Sequence, residues 1–223
     1  MKYITRWFMD LVIRVGTGIL CQIDKSEIPK IPPRGPLILV VNHIGSLEVP
    51  LLFVHLQPRK LIGMAKIETW DDKFMGWLFN LWDAIPIRRG EADPQAIRAC
   101  LDVLKEGKIL AIAPEGTRSS HGHLLRGQPG VVMIALRAGV PILPIAHWGG
   151  ENFGTNLKNF RRTKFNIRVG KQFTLDTMGK KVDRQTRQEM TDEIMYQIAA
   201  LLPVEYRGNY AYHDPPPAKY LSL

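Results

Sequence analysis

Short, continuous apolar runs bounded by turn residues constrain this chain more than any other feature. Such runs recur at residues 37–41, 61–65, 108–113, 141–146 and 165–169. Runs of this length without polar alternation are what strands buried on both faces require. Helical segments lie between them, at residues 51–56, about 72–82, 94–106 and 130–138. Asp93 and Pro94 make a cap and a first helical turn, and Gly107 and Gly139 stand where helix C-caps fall. Strands alternating with helices predict an α/β fold, a mostly parallel sheet flanked by helices. Residues 182–202 read as a final helix with Ile194, Ile198, Leu201 and Leu202 turned inward.

The first 20 residues break this rhythm. They are rich in apolar and aromatic side chains, interrupted by Lys2, Arg6, Asp10 and Arg14 at strict four-residue spacing. On a helix those four drift along one face. Asp10 and Arg14 within the apolar stretch exclude a secretory signal, and no run of 18 apolar residues offers a spanning helix. Two readings stay open here: an amphipathic helix lying in a membrane interface, or a helix packed on the domain's own core. Prolines at 29, 32, 33 and 36 separate this helix from the rest. The expected division is an amphipathic helix and linker over 1–27, one domain over 28–203 and an irregular tail over 204–223.

The charge balance points to an anionic partner. Lys plus Arg number 30 against 21 Asp plus Glu, a formal net charge of +9. The basic residues are spread along the chain without a nucleic-acid-binding motif or an aromatic stacking platform, so nucleic acid is not the expected partner. Cys21 and Cys100 make neither a disulfide framework nor a paired zinc motif, which favours a reducing compartment.

Four clusters carry candidate chemistry, each at or beside a buried strand. The first, Asn42-His43-Ile44-Gly45-Ser46-Leu47-Glu48, puts an imidazole at a strand exit with a carboxylate five residues on. That is the make-up of a base and the acid that orients it, though a surface histidine near an unrelated glutamate has the same spelling. The second, Ile85-Pro86-Ile87-Arg88-Arg89-Gly90, offers guanidinium groups that fork onto phosphate oxygens, or a solvated loop. The third is Pro114-Glu115-Gly116-Thr117-Arg118-Ser119, after the 108–113 strand. The fourth, Val140-Pro141-Ile142-Leu143-Pro144-Ile145, is stiffened by its prolines and suits either a wall beside an apolar tunnel or an edge strand.

In this order the clusters resemble the glycerolipid acyltransferase family typified by bacterial 1-acyl-glycerol-3-phosphate acyltransferases. The family's Asn-His-x4-Asp block is matched by Asn42, His43 and Glu48, with Glu in place of the usual Asp. Arg89 matches the Arg that ends its second block, and Pro114 to Ser119 reproduces its third block intact. Residues 140–145 match the proline-framed fourth block. The resemblance implies transfer of a fatty acyl group from a thioester, acyl-CoA or acyl carrier protein, to a lysophosphatidic acid hydroxyl. It implies His43 as general base and Glu48 as its orienting acid. It implies an acceptor site made by Arg89, Glu115, Gly116, Thr117, Arg118, Ser119 and Lys66, with backbone N–H groups around Gly116 holding the oxyanion. Val140, Pro141 and Ile142 are the implied acyl-pocket wall. No metal or resident cofactor is expected, the thioester being a co-substrate. Another lysophospholipid or glycolipid acceptor, or a non-catalytic lipid-binding role, are the competing expectations. A bilayer-borne substrate also favours the interfacial reading of residues 1–20, on the cytoplasmic face of an anionic phospholipid membrane.

Other signals carry less. His121-Gly122-His123 lacks partners for a metal, and Gly16-Thr17-Gly18 is no dinucleotide fingerprint. His147 and Trp148 belong to a pocket or to a core edge. Arg161-Arg162-Thr163-Lys164 is a solvated face that an anionic membrane would attract.

Overall fold

The computed structural model describes residues 2–45, 47–91, 93–119, 121–211 and 217–222. In chain order its elements are α1 (Lys2–Leu20), β1 (Cys21–Ile23), β2 (Leu37–Val41), α2 (Glu48–His55), β3 (Leu61–Lys66), α3 (Lys73–Leu81), β4 (Ile85–Ile87) and α4 (Pro94–Lys105). There follow β5 (Ile109–Ile112), α5 (Gly130–Ala138), β6 (Ile142–Trp148), α6 (Phe153–Lys158), β7 (Thr163–Val169), β8 (Thr174–Leu175), α7 (Arg184–Leu201) and β9 (Leu221–Ser222). Strands β1 to β7 form one seven-stranded sheet in the order β1-β7-β6-β2-β5-β3-β4. Neighbours run parallel except β6 and β7, so the five consecutive strands β6, β2, β5, β3 and β4 all end at one edge.

The two faces of the sheet are covered by different helices. Ile38, Val40, Leu110 and Ile112 point into a core shared with α4, α5 and α7, through Cys100, Val132, Met190 and Ile194. Leu37, Leu39, Leu61 and Ile109 point into a second core with α2 and α3, through Leu51, Phe53, Leu78 and Trp82. Strand alternation delivers one set of side chains to each core. The Asp93 carboxylate caps α4 by accepting from the Ala96 amide at 3.0 Å, and Gly139 closes α5 with φ +60. The expected α/β architecture is the one observed.

Helix α1 packs in the opposite sense to an ordinary surface helix. Its charged stripe faces the protein. Arg14 donates to the Val54 carbonyl, Thr17 pairs with His55 at 3.1 Å, and Asp10 accepts from the Trp82 indole at 2.9 Å. At its start, Lys2 and Arg6 reach Asp83. The apolar face points outward, with Tyr3, Ile4, Trp7, Phe8, Val12, Val15 and Ile19 exposed. The helix is packed on the domain, as one of the two expectations has it, but through its polar stripe together with Ile13, which leaves the apolar face of the other expectation outward. Its inner face is polar because the partners it meets are carbonyls, an indole N–H and an imidazole.

Two expected boundaries also move. The division at 27/28 is not a domain edge, because β1 pairs with β7 in the main sheet. Of the segment after residue 203, residues 212–216 and 223 lie outside the described residues, and the rest has little regular structure but is tied to the domain. The Tyr210 hydroxyl accepts from the Gly127 amide and donates to Asp192, and β9 pairs with β8. The Lys219 and Tyr220 amides donate to Glu193, which fixes the segment on α7.

The ends of β2 and β6 are joined by one side chain. Asn42, 1% exposed, accepts from the His147 amide at 2.9 Å and donates to the His147 carbonyl at 2.8 Å. His147 Nε2 returns a bond to the Asn42 carbonyl at 2.7 Å. Removing the amide orphans two buried backbone groups, each costing about 1–3 kcal/mol. Asn42→Ala is predicted to lower the unfolding free energy by that order, measured by chemical denaturation, while Asn42→Asp restores only the acceptor half.

Candidate active site

The candidate residues meet at the carboxyl edge of the parallel strands, where sites form in open α/β sheets. His43 follows β2 by two residues, and Glu48 is the first residue of α2. Starting a helix places Glu48 at the positive end of the helix dipole. Its Oε1 is bonded to His43 Nδ1 and also accepts from the Gly45 amide at 3.2 Å. Burial of Glu48 opposes its ionisation, but the hydrogen bond with His43 and the nearby imidazoles outweigh it and hold the carboxyl below its ordinary pKa. The longer arm of Glu thus reaches the ring. With the Nδ1 proton committed to the carboxylate, the lone pair that can take a substrate proton is on Nε2.

The third block holds this pair from behind. The Glu115 Oε1 accepts from the His43 amide at 2.7 Å and its Oε2 from the Leu125 amide at 2.7 Å. The Ser119 amide donates to the His43 carbonyl at 2.8 Å. Both backbone polar groups of His43 are thereby fixed by Glu115 and Ser119. Burial raises the Glu115 pKa to about 7, against its two amide donors. Glu115 and Ser119 are 2% and 3% exposed, so they position His43 instead of lining an acceptor site. Gly116 does line the cavity, with φ +68, but its amide donates to the Ala113 carbonyl at 3.1 Å. That N–H is not available for an oxyanion.

His43 and Glu48 open onto a cavity of about 510 Å³ whose lining is predominantly apolar. Its volume is that of a typical small-molecule pocket. The lumen reaches both sides of the sheet edge. Beneath α2 and α3 it is walled by Leu52, Phe53, Phe79 and Trp82, over Gly63 and Ala111; toward α4 and α5 it is walled by Ile97, Val131 and Ile134. The small residues Gly63 and Ala111 leave the room. Val140, Pro141 and Ile142 do not line it. Val140 and Pro141 precede β6 and Ile142 begins it, pairing with Ile38 near the start of β2, so parallel pairing puts them toward the amino edge, away from His43. Ile142 is fully buried in the core with α7. The aromatic wall is missed in the sequence because its members lie on α2, α3 and the turn after α3.

Arg89 lines the cavity after β4. The Asp93 carboxylate that caps α4 also accepts from the Arg88 amide at 3.0 Å and so holds this turn. Burial lowers the Arg89 pKa, Glu68 opposes that, and Arg118 adds to it, which puts both guanidinium groups in one field. Arg118 and Thr117 are exposed on the third block. Lys66 is exposed at the end of β3, beside the end of β4, and is outside the lining. His147 lies beneath the pair at the core edge, stacked on Phe165 at 5.2 Å, and burial keeps its pKa low. Among the described residues no group of three or more His, Cys, Asp or Glu is placed to hold a metal ion.

Known proteins are similar to this chain. The family described as Acyltransferase matches residues 22–148, which contain all four blocks. The 1-acyl-sn-glycerol-3-phosphate acyltransferase of Bacillus subtilis is 28% identical over 171 residues, 77% of this chain and 83% of that protein. Two Pseudomonas aeruginosa proteins match shorter regions. A lyso-ornithine lipid O-acyltransferase is 37% identical over 51% of this chain and 43% of its own length. A 1-acyl-sn-glycerol-3-phosphate acyltransferase is 32% identical over 65% and 55%. The crystal structure of the 1-acyl-sn-glycerophosphate acyltransferase PlsC from Thermotoga maritima superposes with a TM-score of 0.61 at 21% identity, over 90% of this chain and 81% of that one, a likeness of fold. The match across all four blocks, on this fold and with the histidine–glutamate pair at its sheet edge, establishes that the chain belongs to the acyltransferase family.

Proposed function

We propose that this acyltransferase moves a fatty acyl group from a thioester donor, acyl-CoA or acyl carrier protein, to the sn-2 hydroxyl of 1-acyl-glycerol-3-phosphate, giving phosphatidic acid. The observation that carries this is the buried Glu48–His43 pair opening into an apolar cavity that Arg89 lines, with Arg118 near enough to Arg89 to act on its charge. The cavity takes an acyl chain. The guanidinium groups take a phosphate, which they grip in bidentate fashion. The hydroxyl proton passes to His43 Nε2 while Glu48 steadies the imidazolium. The hydroxyl oxygen bonds to the thioester carbonyl carbon, and the tetrahedral intermediate collapses by breaking the carbon–sulfur bond. The departing thiolate takes the proton back from His43. The acceptor is the nucleophile, so no acyl-enzyme forms.

A second acceptor is suggested by one relative, the lyso-ornithine lipid O-acyltransferase, whose name carries an ornithine lipid. The paired guanidinium groups favour the phosphate. An assay of thiol release with lysophosphatidic acid, lyso-ornithine lipid and a zwitterionic lysophospholipid separates them. Turnover is predicted to be fastest with lysophosphatidic acid; faster turnover with lyso-ornithine lipid overturns the acceptor assignment. His43→Ala is predicted to reduce acyl transfer by about 10²–10⁴-fold with the circular dichroism spectrum unchanged. Glu48→Gln lowers the rate in the same direction.

The outward apolar face of α1 supports attachment to the cytoplasmic face of an anionic membrane, as a monotopic or peripheral protein. Among the described residues no helix is long and apolar enough to cross a bilayer. Trp7 and Phe8 are 66% and 57% exposed, and large aromatics so placed gain by entering an interface. The net charge of +9 adds attraction to anionic lipid. Combined Trp7→Asp and Phe8→Asp substitution is predicted to abolish co-sedimentation with phosphatidylglycerol-containing vesicles while leaving the thermal midpoint unchanged. Undiminished vesicle binding contradicts this attachment.

A further inference from the structure

We infer that Asp10 is a positioning residue for acyl-chain selection: from the buried stripe of α1 it fixes the indole of Trp82 as a wall of the cavity. The inference rests on the acyl-transfer reading of that cavity. Trp82 is 1% exposed and contributes to the lining together with Phe53 and Phe79. Its ring stacks on Phe53 at 4.7 Å and meets Phe79 edge-on at 5.9 Å, so the three rings form one wall. Gly63 adjoins this wall, where an added Cβ would sit in van der Waals contact with Phe53 at 3.6 Å. The width of this part of the lumen is therefore set by how the aromatic rings stand.

Ring stacking alone leaves an indole free to turn over in its slot. The one polar atom of Trp82 decides its orientation, because a buried indole N–H needs a partner. That partner is Asp10 Oδ1 at 2.9 Å, on a side chain that is itself buried. Asp10 is placed in turn by Arg6, four residues earlier at 3.9 Å. Arg6 and Lys2 grip Asp83, the residue after Trp82, which has φ +56 and so has a backbone conformation that needs support. The helix thus holds both the ring and the backbone that carries it. The same helix exposes its apolar face on the opposite side, so its seating and the shape of the lumen are physically joined.

Without the Asp10 acceptor the indole N–H is orphaned and the ring leaves its slot. The lumen beneath α3 then no longer ends at one wall. The predicted result is a broadened preference for acyl length, with long donors gaining relative to the best wild-type donor. Full-length protein is assayed with acyl thioesters from decanoyl to octadecanoyl, and kcat/KM is compared across the series. Asp10→Leu is expected to change the ratio of octadecanoyl to best-donor kcat/KM on the order of two- to hundredfold, the range for residues in contact. Asp10→Asn keeps a carbonyl acceptor and is expected to retain the wild-type profile. In a Trp82→Phe background, which has no N–H to hold, Asp10→Leu is expected to add no further change. An unchanged profile in Asp10→Leu overturns the inference, as does an equal shift in the Trp82→Phe background. Where Asp10→Leu does not fold, Asp10→Ala is read by the same criteria. Absence of wild-type turnover with every donor refutes the acyl-transfer reading, whereas full turnover with an unmoved ratio refutes only the role of Asp10.

Discussion

Glu115 accepts from the amides of His43 and Leu125 with its two oxygens, in a place where burial lifts its pKa to about 7. The rest of the site hangs on that carboxyl group. It joins the loop after β2 to the loop after β5, and Ser119 closes the same junction by binding the His43 carbonyl. With its backbone held on both sides, His43 presents its ring to Glu48 without choosing among loop conformations. Asn42 makes the matching junction to β6 through His147. Three strand ends are thus locked to one another by polar contacts with almost no solvent access. Such preorganisation lets a weak base work, because the geometry is fixed before substrate arrives.

Much of the fold was legible because parallel strands buried on both faces leave an unbroken apolar trace. The runs at 37–41 and 108–113 became β2 and β5 within a residue or so, and Asp93 and Gly139 cap the helices they were expected to cap. The functional blocks were legible through their order along the chain. Their division of labour was not. Glu115 and Ser119 spell acceptor-site chemistry, yet their partners are backbone groups, which no side-chain pattern encodes. The proline-framed start of β6 reads as a tunnel wall until strand direction puts it at the wrong edge. The real wall is assembled from Phe53, Phe79 and Trp82, with Gly63 and Ala111 leaving the space, and only tertiary packing brings them together.

Helix α1 shows how a clear pattern leaves orientation open. The spacing of Lys2, Arg6, Asp10 and Arg14 gives the stripe, but hydrophobic burial alone would put that stripe in water. The protein instead supplies polar partners from α2 and from the turn after α3, tens of residues away in sequence. A helix that seats its charges and displays its aromatics has its outer surface ready for an apolar medium. That arrangement fits the proposed attachment to a membrane, where the proposed lipid acceptor resides.

The central chemical claim is that the acceptor hydroxyl attacks the thioester directly, with His43 as its base. Incubating the enzyme with an acyl thioester, with and without lysophosphatidic acid, while following free thiol and the intact mass of the protein, tests it most directly. The account predicts no thiol burst and no acyl mass on the protein without acceptor, and one thiol released per phosphatidic acid formed once acceptor is added. A stoichiometric burst of thiol with an acylated protein, in the absence of acceptor, would contradict it.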